Sequence, residues 1–255
     1  MRIIESGIKL DGHPVMDLVR SGIKKHGVDG EFVVCWGWRK GKEYADLGQK
    51  VLVFERGYLG DRLKDWTSIA WNGLNGRGDF CLPEKVDFNR FKHNFGEIKP
   101  WKKDGDLIVI MGQIVGDMSL GGKDLTVWYE NIARAMALHH NKKVVFRPHP
   151  HVSHNRRNFK PNIDIFDGTL HQALDRAYMV VTYNSNAGVD AVLNGIPSYS
   201  ADIGSMAYDV TSHEICDRIM PDRKDWAARL AHCQWTAQEI ANGDWVKRFF
   251  NDRKA

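Results

Sequence analysis

No run in the 255-residue chain approaches the roughly eighteen consecutive apolar residues of a membrane-crossing helix, and its first residues lack the apolar core of a secretory signal. A cytoplasmic protein without a membrane anchor is the expectation. Cysteine is scarce. Cys35, Cys81, Cys216 and Cys233 lie far apart, without the close pairs that bind zinc or staple a small secreted fold. They read as reduced thiols with no assigned chemistry. Tails and low-complexity segments are missing, and so is a strong charge of either sign. A formal net charge of +4 permits an anionic partner, nucleotide or nucleic acid, without demanding one. The glycines after residues 107–111, namely Gly112, Gly116, Gly121 and Gly122, have neither Walker-loop nor dinucleotide spacing. What remains is an ordinary globular composition, 43% hydrophobic and 27% charged, long enough for one large domain or two small ones.

The strongest pattern lies in residues 143–200. Lys-Val-Val-Phe-Arg-Pro-His-Pro-His opens it, and Val-Val-Thr-Tyr-Asn-Ser-Asn-Ala-Gly-Val-Asp follows some thirty residues later. Each is a β-branched apolar run that stops abruptly in polar, small or proline residues, as a buried strand does at its loop. In an open parallel sheet, ligands bind outside the carboxyl ends of the strands, so Arg147 to His151 and Asn184 to Gly188 are expected to line one crevice. Asn184 and Ser185 are good helix N-caps, and Ala187 and Gly188 are small. A helix starting there would offer unpaired N–H groups and its positive dipole end to a phosphate. The alternative is an ordinary strand, cap and helix with no ligand. Pro148 and Pro150 stiffen the loop around His149, whose imidazole can donate to a phosphate or sugar oxygen.

These residues resemble the nucleotide-binding half of GT-B-type glycosyltransferases, in particular the capsule-type Kdo transferases, sialyltransferases and their relatives. The resemblance spans roughly residues 107–210, on the His-Pro after one strand and the Ser-containing small-residue turn after a later one. It implies that His149 contacts the donor phosphate, Ser185 and Asn186 its phosphate or nucleotide, and Asp190 the ribose hydroxyls. Asp190 stands where many of these enzymes carry Glu. It also implies that the C-terminal helices return to brace the first lobe.

Before this region, Val15, Leu18, Val19 and Ile23 fall at helical spacing, and Gly27 ends that helix. Phe32 to Trp36 and Val51 to Phe54 read as strands, with a short helix from Glu43 to Leu47. Glu55 ends the second strand, where a carboxylate can take a proton from an acceptor hydroxyl; Asp61 is the reserve. An ion pair between Glu55 and Arg56 or Arg62 is the competing reading. Arg56, Tyr58, Trp66, Trp71, Asn72, Asn75 and Arg77 form an aromatic and amide-rich stretch suited to stacking and hydrogen bonding an acceptor, or else a set of core tryptophans with glycine turns. Residues 83–105 read as a polar linker.

Leu107 to Met111 opens the second unit, with Gln113 and Asp117 as lesser donor-site candidates and Asp124 capping a helix to about Leu138. His139, His140, His149, His151 and His154 are closely spaced, but the prolines disfavour one convergent face, so no metal is required. Residues 154–160 read as a solvated basic loop. Ser205 and Tyr208 follow a further strand and close over the donor.

The expected fold is α/β and GT-B-like, two Rossmann-like lobes with a C-terminal helical segment. Its boundaries are 1–105 for the acceptor side, 106–225 for nucleotide-sugar binding and 226–255 for the terminal helices. The expected activity is transfer of a sugar from a nucleotide donor, UDP- or CMP-linked, to an acceptor hydroxyl. A hydroxymethylated base in phage DNA is slightly favoured over a surface polysaccharide. A non-catalytic nucleotide or phosphosugar binder, or an epimerase, is the alternative class.

Overall fold

The computed structural model describes residues 1–62, 64–150 and 162–251. In chain order the elements are β1 (Arg2–Ile3), β2 (Lys9–Leu10), β3 (His13–Pro14), α1 (Val15–His26), β4 (Val33–Trp36), α2 (Trp38–Ala45), β5 (Val51–Arg56), β6 (Thr67–Trp71) and α3 (Phe88–Phe95). They continue with β7 (Leu107–Met111), α4 (Thr126–His140), β8 (Lys143–Arg147), α5 (Leu170–Arg176), β9 (Ala177–Thr182), α6 (Ala187–Leu193) and β10 (Ser198–Ser200). The last are α7 (Lys224–His232), β11 (Gln234–Trp235), α8 (Ala237–Asn242), α9 (Asp244–Val246) and a π-turn, Lys247–Asn251.

The chain forms two compact α/β units, residues 98–223 and, discontinuously, residues 1–97 with 224–255. The boundary therefore falls at 97/98 rather than at 105, and the terminal helices belong to the first unit. The first unit carries the sheet β1-β4-β5-β6-β11, parallel through β5 and antiparallel from β6 onward. One side packs α1, α8 and the end of the chain through Val15, Val19, Phe54, Ile240 and Trp245. α2 covers the other side over Val33, Cys35 and Val53.

Two elements here escape periodicity. β6 sits inside the aromatic and amide-rich stretch, and all five of its residues are buried. α3 lies in the expected linker, started by Asp87, whose side chain accepts from the Asn89 N–H. The first helix is as expected, with Gly27 at its end in a positive-φ conformation, whereas α2 begins at Trp38, earlier than expected.

The second unit is a four-stranded, fully parallel sheet, β10-β9-β7-β8. Its strands are nearly continuous apolar runs because both faces are covered. α4 lies on one face against Ile108, Ile110 and Met179. α5 and α6 cover the other over Val109, Val145 and Val180. Residues 163–166 add one parallel bridge, Ile165 to Phe146. α5 starts in a capping box: Thr169 Oγ1 accepts from the Gln172 N–H at 3.2 Å and the Gln172 side chain accepts from the Thr169 N–H at 2.9 Å. Thr169→Ala removes one half of that exchange, and urea unfolding should show a loss of about 1 kcal/mol.

Candidate functional site

The chain leaves β7 for its neighbour β8, then crosses under the sheet to β9 on β7's other side, so the strand order reverses between β7 and β9. At such a reversal the loops diverge and leave a crevice outside the carboxyl ends. The register sets those ends level, with Met111 beside Arg147 and Thr182 beside Ser200. Four loops therefore meet at one edge, beginning at Gly112, Pro148, Tyr183 and Ala201.

Asn184 and Gln113 tie the two central loops. The Gln113 side-chain amide donates to Asn184 Oδ1 at 2.8 Å, and the Asn184 N–H donates to Gln113 Oε1 at 3.1 Å. Asn184 Nδ2 then donates to the Ser119 carbonyl at 2.8 Å and to Asp202 Oδ1 at 3.0 Å. Only 3% of Asn184 is exposed. Its side chain is spent on protein, which corrects the reading of Asn184 as a cap or ligand contact.

α6 also differs from expectation, beginning at Ala187. Ser185 serves its first turn: Ser185 Oγ accepts from the Ala187 N–H at 3.3 Å, and its carbonyl accepts from the Gly188 N–H at 3.0 Å. The Val189 N–H is taken by the Asn186 carbonyl at 2.9 Å. These amides are thus used within the chain rather than offered to a phosphate. Gly188 points inward, since a Cβ there would meet Thr182 Oγ1 at 3.4 Å and Ala207 Cβ at 3.7 Å. Its small size serves packing of helix on strand. Ser185, Asn186 and Asp190 remain half-buried at this edge.

Arg147 ends β8 half-buried, with Nε donating to the Gly168 carbonyl at 3.1 Å. Burial lowers its pKa, and no carboxylate among the described residues offsets that burial. The chain passes closely here because Gly112 has no side chain: a Cβ would sit 2.8 Å from Phe146 Cζ and 3.2 Å from the His149 nitrogen. His149 follows, half-buried. His151, His154 and the basic residues 155–160 lie outside the described residues, and the metal reading that invoked the first two rests there. Among the described residues, no three His, Cys, Asp or Glu side chains are grouped to hold a metal ion.

Two further candidates, Asp117 and Ser205, act as braces within the chain. Asp117 caps the short turn Met118–Leu120 by accepting from the Ser119 N–H at 2.8 Å. Ser205 is buried, its Oγ taking the Ser200 hydroxyl and the Ala207 N–H, each at 3.2 Å. Tyr208 is half-buried and stacks on His213 with ring centroids 3.7 Å apart. Ser119, Tyr129 and Asp202 were missed: Tyr129's hydroxyl accepts the Gln113 N–H at 2.9 Å, and Asp202 Oδ1 also accepts from Gly204 at 2.9 Å. An Asp two residues before a Gly was the one available signal for the last of these.

In the first unit, Glu55 occupies the carboxyl end of β5 as expected, half-buried beside the Gly37 turn that ends β4. Its Oε1 accepts from the Arg56 N–H at 3.1 Å. Arg56 is exposed, and Asp61 is exposed 3.9 Å from Lys64 Nζ. The acceptor platform is corrected by burial. Trp71 is 2% exposed and packs on Phe32, Phe249 and Phe250, and Trp66 is buried against Phe95. Tyr58 is buried too, its N–H given to Gln234 Oε1 at 2.7 Å. Asn72 is exposed in a left-handed conformation and accepts from the Val51 N–H at 2.8 Å, at the start of β5 and a strand's length from Glu55. Asn75, half-buried, and Arg77, exposed, form a tight 3-10 turn. Cys35 and Cys233 are buried, which pushes both thiols up to about 12 and leaves them inert at neutral pH. No described helix is long and apolar enough to cross a membrane.

No protein-family profile matches the sequence, and no curated protein does. Solved structures do. The beta Kdo 2,7 transferase part of Thermosulfurimonas dismutans KpsC aligns with a TM-score of 0.54 at 17% identity, over 89% of this chain and 87% of that one. The beta Kdo 2,4 transferase part of the same protein aligns with a TM-score of 0.52 at 13% identity, over 82% and 85%. The α/β fold of this chain is thus similar to that of these two Kdo transferases, the likeness of fold that the resemblance implied.

Proposed function

We propose that the protein is a glycosyltransferase that moves a sugar from a nucleotide-sugar donor to a hydroxyl of a carbohydrate acceptor. The observation carrying this is Arg147, a half-buried guanidinium at the reversal-point edge with no carboxylate partner among the described residues. A cation kept partly desolvated and unneutralised is poised for an anion, and a donor diphosphate supplies one. Arg147 and His149 would offset charge growing on the leaving phosphate, with Ser185, Asn186 and Asp190 beside the nucleotide and Tyr208 over it. Glu55 would take the acceptor proton. The reading needs no metal, since the guanidinium does the work a cation does elsewhere. The fold shared with two Kdo transferases supports transfer to a carbohydrate. Burial of Trp66 and Trp71 withdraws the stacking surface that made an unpaired DNA base attractive as acceptor.

The test is thermal stabilisation by UDP, CMP, GDP and their sugar conjugates, on wild type, Arg147→Ala and His149→Ala. A ligand at about a hundred times its Kd adds roughly 2.7 kcal/mol, a plain melting shift. One nucleotide family should shift wild type and lose that shift in both variants. No shift from any nucleotide in folded protein overturns the proposal, and a shift without transfer to any acceptor assigns a binder instead. Transfer onto hydroxymethylated DNA, with binding that weakens steeply in salt, would restore the DNA acceptor.

A further inference from the structure

We infer that Asn184 is a positioning residue, the central pin of a polar latch that presets the spacing of three loops at the carboxyl edge of the second sheet. Its partners come from the loop after β7, through Gln113 and Ser119, and from the loop after β10, through Asp202. The amide is saturated. Oδ1 accepts from Gln113 Nε2 at 2.8 Å and Ser119 Oγ at 3.2 Å, while Nδ2 donates to the Ser119 carbonyl at 2.8 Å and Asp202 Oδ1 at 3.0 Å. Two donors and two acceptors on one short side chain exist only in Asn. The further ends of the latch are held in turn: the Gln113 N–H by Tyr129 of α4, the Ser119 N–H by Asp117 of its own loop, and Asp202 Oδ1 by the Gly204 N–H of its own loop. A largely buried network of this kind, centred on the buried Asn184 and Asp202, is rigid when fully satisfied and costly when one member is wrong.

The latch's bonds run from protein to protein. They fix where Ser185 and Asn186 stand relative to the Gln113 and Asp202 loops, so the crevice is formed before ligand arrives. The functional half of this inference rests on the donor-site reading above; the structural half does not. An aspartate at position 184 is the diagnostic change. It keeps the shape but turns two donated bonds into oxygen–oxygen contacts, one against the Asp202 carboxylate. Two carboxylates so placed share a proton in mild acid. Titratable groups among the described residues around the position include Asp117 through Ser119, Tyr129 through Gln113, and Lys123, whose Nζ lies 5.6 Å from the Tyr183 ring centroid.

The experiment is amide hydrogen exchange on the ligand-free protein at about pH 7.5 and about pH 5.5, with calorimetric titration of CMP, UDP and GDP in parallel, each compared with wild type at the same pH. Asn184→Asp should speed exchange in residues 112–120 and 201–207 by about tenfold or more at the higher pH and recover at the lower. The Kd of whichever nucleotide binds should rise and recover alongside. Asn184→Ala and Gln113→Met, which add no charge, should loosen the same segments equally at both pH values. Gln113→Met stays informative should position 184 tolerate no change. Wild-type exchange in Asn184→Asp at the higher pH, or loosening with no pH recovery, overturns the latch. Failure of wild type to bind any nucleotide counts against the donor reading alone, and the exchange result still decides the latch.

Discussion

Glu239→Ala should lower the unfolding free energy by about 3 kcal/mol, because it breaks a largely buried ion pair. The pair is Glu239 with Arg90, joined through both guanidinium Nη atoms at 2.5 and 2.9 Å. Pairs such as Arg20–Glu5, Lys143–Asp164 and Arg229–Asp225 each involve side chains more than a third exposed, where such contacts contribute little. Arg90 and Glu239 are only 20% and 24% exposed. Arg90 also donates to the carbonyls of Ala231 and Gln234, and its guanidinium lies 5.7 and 5.9 Å from the rings of Trp66 and Trp235. Glu239 in turn accepts from the Thr236 N–H at 2.8 Å, closing the capping box of α8. Removing the carboxylate therefore strands a half-desolvated cation and opens a helix start.

Desolvation alone would raise the Glu239 carboxyl, but the bonds from Arg90 and Thr236 win and hold it below its ordinary value. A depressed folded pKa means the stabilisation is complete above the unfolded value of about 4.3 and disappears as pH falls through the folded one. The difference between wild type and Glu239→Ala in urea should accordingly be full at neutral pH and shrink below about pH 4. Glu239→Gln, which keeps shape and cap without the charge, should lose about half as much. A difference that stays constant into acid would mean packing, not the ion pair, is what the mutation removes.

That pair illustrates what could be read in advance and what could not. Elements with local signatures were legible: the apolar runs of β5, β7 and β9, the 3.6-residue spacing of α1, and the strand ends at Arg147 and Thr182. β6 was not, because Thr67 to Trp71 is buried on both faces, shows no alternation, and lies among glycines and asparagines that resemble a loop. α3 was hidden behind its polar residues, although Asp87 before Phe88 is an ordinary cap. Return of the chain end to the first unit was legible only through resemblance. Its physical cause, Gln234 buried at 0% exposure and accepting the N–H groups of Tyr58 and Leu59, joins residues 175 and more apart, a distance no window reaches. The site shows the same division. Arg147 and His149 stand at the end of β8, the place that the prolines beside them mark in the sequence. Asn184, Ser205 and Gly188 were picked for the right place but the wrong direction, since sequence marks a strand end without saying which side chains turn inward.

Glu55→Gln should lower kcat for sugar transfer by about a hundredfold to ten-thousandfold and leave KM and the melting temperature nearly unchanged. The prediction depends on a geometry in the first unit that a purely structural carboxylate would not need. Glu55 is the penultimate residue of β5, at the carboxyl edge of the parallel strands, and its Oε2 lies 3.6 Å from where a Cβ on Gly37 would be. Gly37 has φ 82°, a conformation that favours glycine, so the turn beside the carboxylate carries no side chain to cover it. Oε1 is fixed by the Arg56 N–H, which orients the group as a base must be oriented. Glu55→Asp, with the carboxylate withdrawn by one methylene, should keep part of the rate. Asp61→Asn, at an exposed residue beside Lys64, should change kcat by less than about threefold. The competing role, a strut for the β4 and β5 ends, predicts the reverse pattern: a lowered melting temperature in Glu55→Gln with kcat per folded molecule intact. Measured together on one preparation, kcat and melting temperature cannot both follow the base and the strut, because a proton acceptor acts only while the bond to the acceptor hydroxyl is breaking and contributes nothing to the resting fold.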